Sequence, residues 1–259
     1  MAYGGYGGGG GQSRPRRRFQ ADQRTTIIVV VAAALLLILL RTHKITRFEI
    51  IYFCVLIPSI ILHEISHGVV ALAFGDDTAK RAGRLTLNPV KHVDPVGTLL
   101  VPGLLSLSGL GAYGWAKPVP VSTNRLRSPR NHTVVVSLVG PLTNFILAAL
   151  MGLCYALVTP QPIRVIVHAG GYYPPGLPSQ IFFIAGFANI VLGVFNLIPC
   201  PPLDGASVLE RFLPARWLPE YYRLQPLLIF LPFVLILVFR NQWSELIIHV
   251  VNWWSGLLV

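Results

Sequence analysis

The sequence predicts an all-α fold, a multi-pass transmembrane helical bundle, and three observations predict it. The 259-residue chain is 53% hydrophobic and only 12% charged, a balance suited to lipid rather than to a soluble domain. Its apolar residues gather in runs long enough to cross a bilayer. Its basic residues gather between those runs and in the N-terminal tail, giving a net charge of +11. That clustering fits topology signals and anionic headgroups, so the lipid bilayer is the expected partner and nucleic acid is not. The length suits about six membrane segments plus a re-entrant segment, with a short extended or β element between the second and third spanning helices. Cys54, Cys154 and Cys200 are odd in number and lie in or beside apolar segments, which argues against a disulfide framework.

Taken in order, residues 1–12 are Gly/Tyr low complexity, and residues 1–24 read as a disordered Gly/Arg-rich tail. Arg14, Arg16, Arg17 and Arg18 precede an uncharged apolar run at 27–40. No small-residue cleavage site follows it, so it reads as a first spanning helix with a cytoplasmic basic flank. Residues 41–49 make a short external turn, and residues 50–74 return through the membrane. Pro58 bends this second helix one turn before His63.

Residues 96–110 are apolar but only about fifteen long, and Gly97, Pro102, Gly103 and Gly109 break them. A dip that returns to the same side keeps Lys117, Arg125, Arg127 and Arg130 with Lys80, Arg81, Arg84 and Lys91. The positive-inside bias favours that dip. Residues 113–121 have strand-like composition cut by prolines, which suits an edge strand or extended loop. Helices are then expected at 133–158, 180–198, 227–239 and 245–259. An outer loop at 159–179 and an inner loop at 210–223 separate them. Trp253 and Trp254 suit an interfacial belt.

Two stretches carry the chemistry. His63, Glu64 and His67 form an H-E-x-x-H pattern, and on a helix residues i and i+4 share a face. Both imidazoles can therefore face one metal ion, with Glu64 beside them as a base. An intramembrane Glu costs about 2.5–3.5 kcal/mol on insertion scales, so it is kept for a reason. The second stretch runs from Asn196 through Pro199, Pro201 and Pro202 to Asp204-Gly205. Its prolines unwind a helix end and expose backbone groups. Asp204 is placed either to cap the next helix or to coordinate. A two-histidine site that needs a third ligand favours coordination. Two imidazoles and one carboxylate leave a tetrahedral Zn²⁺ an open position for water, the mark of a catalytic site. Asn196, or an unwound N–H near it, could stabilise an oxyanion. Asn144, in the Gly140-Pro141-Leu142-Thr143-Asn144 cluster, reads as a structural hydrogen-bonding residue ahead of a substrate contact. His92 suits a turn, His249 an interface, and Cys200 packing.

These motifs together resemble the site-2 protease family of intramembrane zinc metalloproteases. His63-Glu64-Ile65-Ser66-His67-Gly68 pairs with an N-x-x-P-x-x-x-x-D-G stretch at Asn196 to Gly205. Further likeness lies in Gly83 to Pro89, in His92, Asp94 and Pro95, and in Gly140, Pro141 and Asn144; it spans residues 48–212. The resemblance implies a membrane-embedded metalloprotease domain at 25–259. It implies one zinc held by His63, His67 and Asp204, with Glu64 as general base and acid. Asn196 would then touch substrate or the oxyanion. It also implies transmembrane protein substrates cut within or beside their spanning helices. The loop at 159–179 is too short for the PDZ domain of larger relatives. A membrane protein that binds or moves a metal without hydrolysis is the rival reading, since it would have no need of Glu64. The basic cytoplasmic flank and unpaired cysteines favour a prokaryotic inner membrane, with the N-terminus in the cytoplasm.

Overall fold

The computed structural model describes residues 30, 34, 47–92, 94, 117–159, 176–228 and 231–257. The expected tail, most of the first spanning helix, the dip at 96–110 and most of the 159–179 loop lie outside them. Contacts divide the chain into two units, and the one formed by 45–93 with 116–259 holds every element described below.

Three long helices form its frame: α1 (Arg47–Ala73), then, after the short α2 (Thr78–Arg81), α3 (Pro129–Val158) and α4 (Leu177–Asn196). Each is long and apolar enough to cross a membrane, and all three pack against one another. Pro129 and Pro178 sit in the first turns of α3 and α4, where a missing N–H costs nothing. Helix α3 shows how the frame sorts its residues. Val135, Leu138, Leu142, Ile146, Leu150, Leu153 and Leu157 recur every three or four positions and are exposed. Val136, Gly140, Asn144, Ala148, Gly152 and Tyr155 recur at the same spacing on the buried face. Large apolar groups thus face outward and small or polar ones inward, the arrangement lipid favours.

Beyond α4 the chain turns through 197–204 into α5 (Gly205–Phe212), α6 (Leu218–Leu228), α7 (Leu231–Val238) and α8 (Arg240–Gly256). The core of the frame joins α3, α4 and α8 through Ala148, Tyr155, Phe183, Ile190, Val251 and Trp254. Gly186 makes that contact possible, because a Cβ there would run into the Trp254 indole.

Several expectations need correction. No strand occurs among the described residues: 117–122 is irregular backbone leading into a 3₁₀ turn, Thr123–Arg125. Pro118 and Pro120 lack the N–H groups a ladder needs. Three helices among the described residues qualify as spans, and the expected first span at 27–40 lies almost wholly outside those residues. The inner loop at 210–223 is largely helical, because Pro219 stands in the first turn of α6 and starts a helix rather than breaking one. Trp254 is 6% exposed and belongs to the core, whereas Trp253 is exposed as a belt residue would be.

Candidate metal centre

Helix periodicity brings His63 and His67 together on the inner face of α1, where both are buried. Asp204 arrives from the far end of the chain, at the start of α5. Its side chain makes no cap hydrogen bond to that helix. Instead its carboxylate lies 3.1 Å from His63 Nε2 and 3.4 Å from His67 Nε2. Gly205 allows this approach, because a Cβ there would meet the backbone carbonyls of Leu197 and Ile198 at the unwound end of α4.

The two rings stand nearly perpendicular, 85° between planes, with their Nε2 atoms 3.1 Å apart. Each Nδ1 is spoken for. His63 Nδ1 lies 2.6 Å from Asn144 Oδ1, and His67 Nδ1 lies 2.6 Å from the Val136 carbonyl. Both partners are acceptors, so each Nδ1 carries the proton and donates it. Both Nε2 atoms therefore present lone pairs to each other and to a carboxylate. Three acceptors converge with no proton between them, and a cation relieves their mutual repulsion. The spacing suits zinc as well. Tetrahedral bonds of about 2.0–2.1 Å put neighbouring ligand atoms about 3.3 Å apart, close to the 3.1 Å between the two Nε2 atoms, while Asp204 turns Oδ2 to His63 and Oδ1 to His67. His63, His67 and Asp204 are also the group of metal-ligating side chains that could hold an ion among the described residues.

Space for the ion comes from α3. A Cβ on Gly140 would fall 2.6 Å from His63 Cε1 and closer still to the His67 ring. Glu64, half-buried beside the pair, accepts a 2.7 Å hydrogen bond from the Val119 backbone N–H. Val119 itself packs over α1, where a Cβ on Gly68 would come within 2.9 Å of it. The irregular segment after residue 116 thus rests directly on the helix that bears the histidines.

Other anticipated residues sit elsewhere. Asn196 gives its Nδ2 to Leu192 O within its own helix, at 3.0 Å. Asn144 is fully buried, with its amide committed to His63 and Asn189. Cys200 donates weakly to Leu228 O, and burial pushes its thiol pKa up, away from the thiolate a metal needs. His92 closes the 86–92 loop through Thr86 O, and exposed His249 bonds Glu245 O on its own helix. Sequence reasoning missed Asn189 and Ser59. Both are polar residues inside apolar helices, a signal that could have found them.

Comparison with known proteins points one way. The profile of Peptidase family M50 matches residues 159–239, a stretch that contains Asp204. YwhC of Bacillus subtilis, which carries a zinc metalloprotease name, is 43% identical over 164 residues, 61% of this chain and 67% of YwhC. Rip2 of Mycolicibacterium smegmatis, likewise named, is 37% identical over 157 residues, 60% of this chain but only 54% of Rip2. A solved structure, the site-2 protease from Methanocaldococcus jannaschii, aligns over 89% of this chain and 83% of that chain. Its identity is 17% and its TM-score 0.41, too loose a likeness to bear weight.

Proposed function

Because this chain belongs to peptidase family M50, the site-2 protease family of zinc metalloproteases, we propose that it hydrolyses peptide bonds within or beside the transmembrane segments of membrane proteins. One observation carries the reading: bare Nε2 atoms of His63 and His67 converge with the Asp204 carboxylate among helices that can span lipid. His63, His67 and Asp204 would hold the ion. Zinc, when bound there, supplies a Lewis acid that polarises a carbonyl and acidifies a water.

The protein's own groups do the rest. The Val119 N–H holds one oxygen of Glu64, while the other meets no described hydrogen-bond partner and is left for the water's proton. Glu64 takes that proton and returns it to the leaving amine. Asn144 serves by orienting His63 rather than by touching substrate. A helical substrate hides its carbonyls in i to i−4 bonds and must unwind before attack. The irregular segment at 117–121, resting on Glu64, is the surface against which an unwound strand would lie. Asn196, at the unwound end of α4, keeps the oxyanion role only if its side chain leaves Leu192.

His67 lies six residues from the end of α1, so the centre sits about 9 Å inside that end. Basic residues crowd that end and the start of α3: Lys80, Arg81, Arg125, Arg127 and Arg130. The positive-inside bias makes that face cytoplasmic, in a prokaryotic inner membrane. The test is Glu64→Gln with a tethered transmembrane test substrate. Zinc content should stay at one per chain while cleavage falls below detection. Undiminished cleavage by that variant would defeat the protease assignment. A wild-type protein that binds zinc yet cuts nothing would favour metal handling.

A further inference from the structure

We propose that Asn189 is a positioning residue which, acting through Asn144, holds His63 in the one tautomer able to bind a metal. The inference rests on His63 being a zinc ligand, as argued above.

The direction of the polar chain is set by backbone carbonyls, which can only accept. Asn189 must turn its Nδ2 toward Ala185 O, 2.9 Å away on the same helix. The second Nδ2 proton goes to Ser59 Oγ at 2.9 Å, and Ser59 sends its own proton to Val55 O at 2.8 Å. Asn189 Oδ1 is thereby left facing α3, where it accepts from Asn144 Nδ2 at 2.9 Å. Asn144 must then present Oδ1 to His63, and a ring nitrogen facing an oxygen acceptor carries the proton. Nε2 is left bare and turned toward His67 and Asp204.

The side-chain to side-chain links all cross helix boundaries: Ser59 and His63 are on α1, Asn144 on α3 and Asn189 on α4. All are buried, Ser59 at 5%, Asn144 at 0% and Asn189 at 2% exposure. In lipid no bulk water stands by to satisfy a misdirected amide, so the polarity of the chain is passed on intact. His67 needs no such relay, because its partner is itself a backbone carbonyl. Remove Asn189, and nothing fixes which end of the Asn144 amide meets His63. With the NH₂ end toward Nδ1, the ring proton moves to Nε2 and occupies the lone pair a metal requires.

The experiment reads ring ¹⁵N chemical shifts of His63 in zinc-stripped, detergent-solubilised full chain, alongside zinc affinity. Wild type should show the Nδ1–H form. Asn189→Leu should shift it toward Nε2–H and raise the zinc dissociation constant about 10- to 100-fold. The double variant Asn144→Asp/Asn189→Leu should restore both readouts, because a carboxylate cannot donate to Nδ1. Simple misfolding in Asn189→Leu would not be rescued this way. Wild-type shifts and affinity in Asn189→Leu, or failure of the double variant to recover zinc, would overturn the proposal. His63→Ala separates the two ideas. Full zinc affinity in it sinks the metal centre itself, whereas lost zinc there beside an indifferent Asn189→Leu sinks only the relay.

Discussion

His63 and His67 sit one helical turn apart on α1, yet the protein secures them by different means. His67 leans on main chain, the Val136 carbonyl, which no side-chain substitution can remove. His63 leans on Asn144, whose amide is ambiguous until Asn189 and Ser59 orient it. One ligand is therefore set by helix placement alone, and the other by a buried network spanning three helices. A backbone contact is robust but fixed, while a side-chain relay is adjustable and open to failure at every link. The fragile half of the centre therefore lies on the α4 side.

The largest expected effect tests what the two halves share. Gly140→Ala would put a Cβ against both rings at once. Zinc should fall well below one per chain, and overpacking should cost about 1–3 kcal/mol of stability. Metal analysis of the purified variant checks this, and retained stoichiometric zinc would mean that α1 and α3 can part. The next pair separates the halves. Asn144→Leu should weaken zinc binding about 10- to 100-fold. Val136→Ala should leave zinc affinity within about twofold of wild type, because the carbonyl that holds His67 survives. Its stability should drop by about 1–2 kcal/mol for the lost packing against Ala71 and Leu126. Zinc titration with thermal melts decides it; equal zinc loss in both variants would mean that the two histidines are held by the same means.

The smallest effect lies at the end of α1, where another carboxylate is held in a different way. Burial alone would raise the Asp76 pKa, but hydrogen bonds from the Thr78 hydroxyl and from the backbone N–H groups of Ser122 and Thr78, with Arg125 nearby, pull it below the usual carboxylate value. A depressed folded pKa stabilises the protein above the unfolded value of about 3.9. That stabilisation is lost as pH falls through the lower folded value. Asp76→Asn should thus melt earlier than wild type at pH 7, and the gap should close below about pH 4. A gap that persists unchanged in acid would show that Asp76 acts by shape rather than by charge.

Some of this was written along the chain. The i, i+4 histidines needed only helical periodicity to meet, and apolar runs announced α1, α3 and α4 by composition. Asp204 was legible as a third ligand because a two-imidazole site lacks one, which outweighed capping as the reading of an Asp before a Gly. The extended stretch near Val119 was marked by its prolines, but its contact with Glu64 was not, since no local pattern encodes a backbone N–H meeting a carboxylate 55 residues away. Asn196 drew attention through its motif, while Asn189, seven residues earlier, stood alone among apolar neighbours and was passed over.

What the sequence by itself determined is chemical: which side chains can ligate a metal, and that the histidines among them lie in a run apolar enough to cross a bilayer. Only the tertiary structure decided which lone pairs face inward. Protonation of an imidazole depends on what its other nitrogen meets, and both of those partners are brought in by α3, from 69 to 81 residues away.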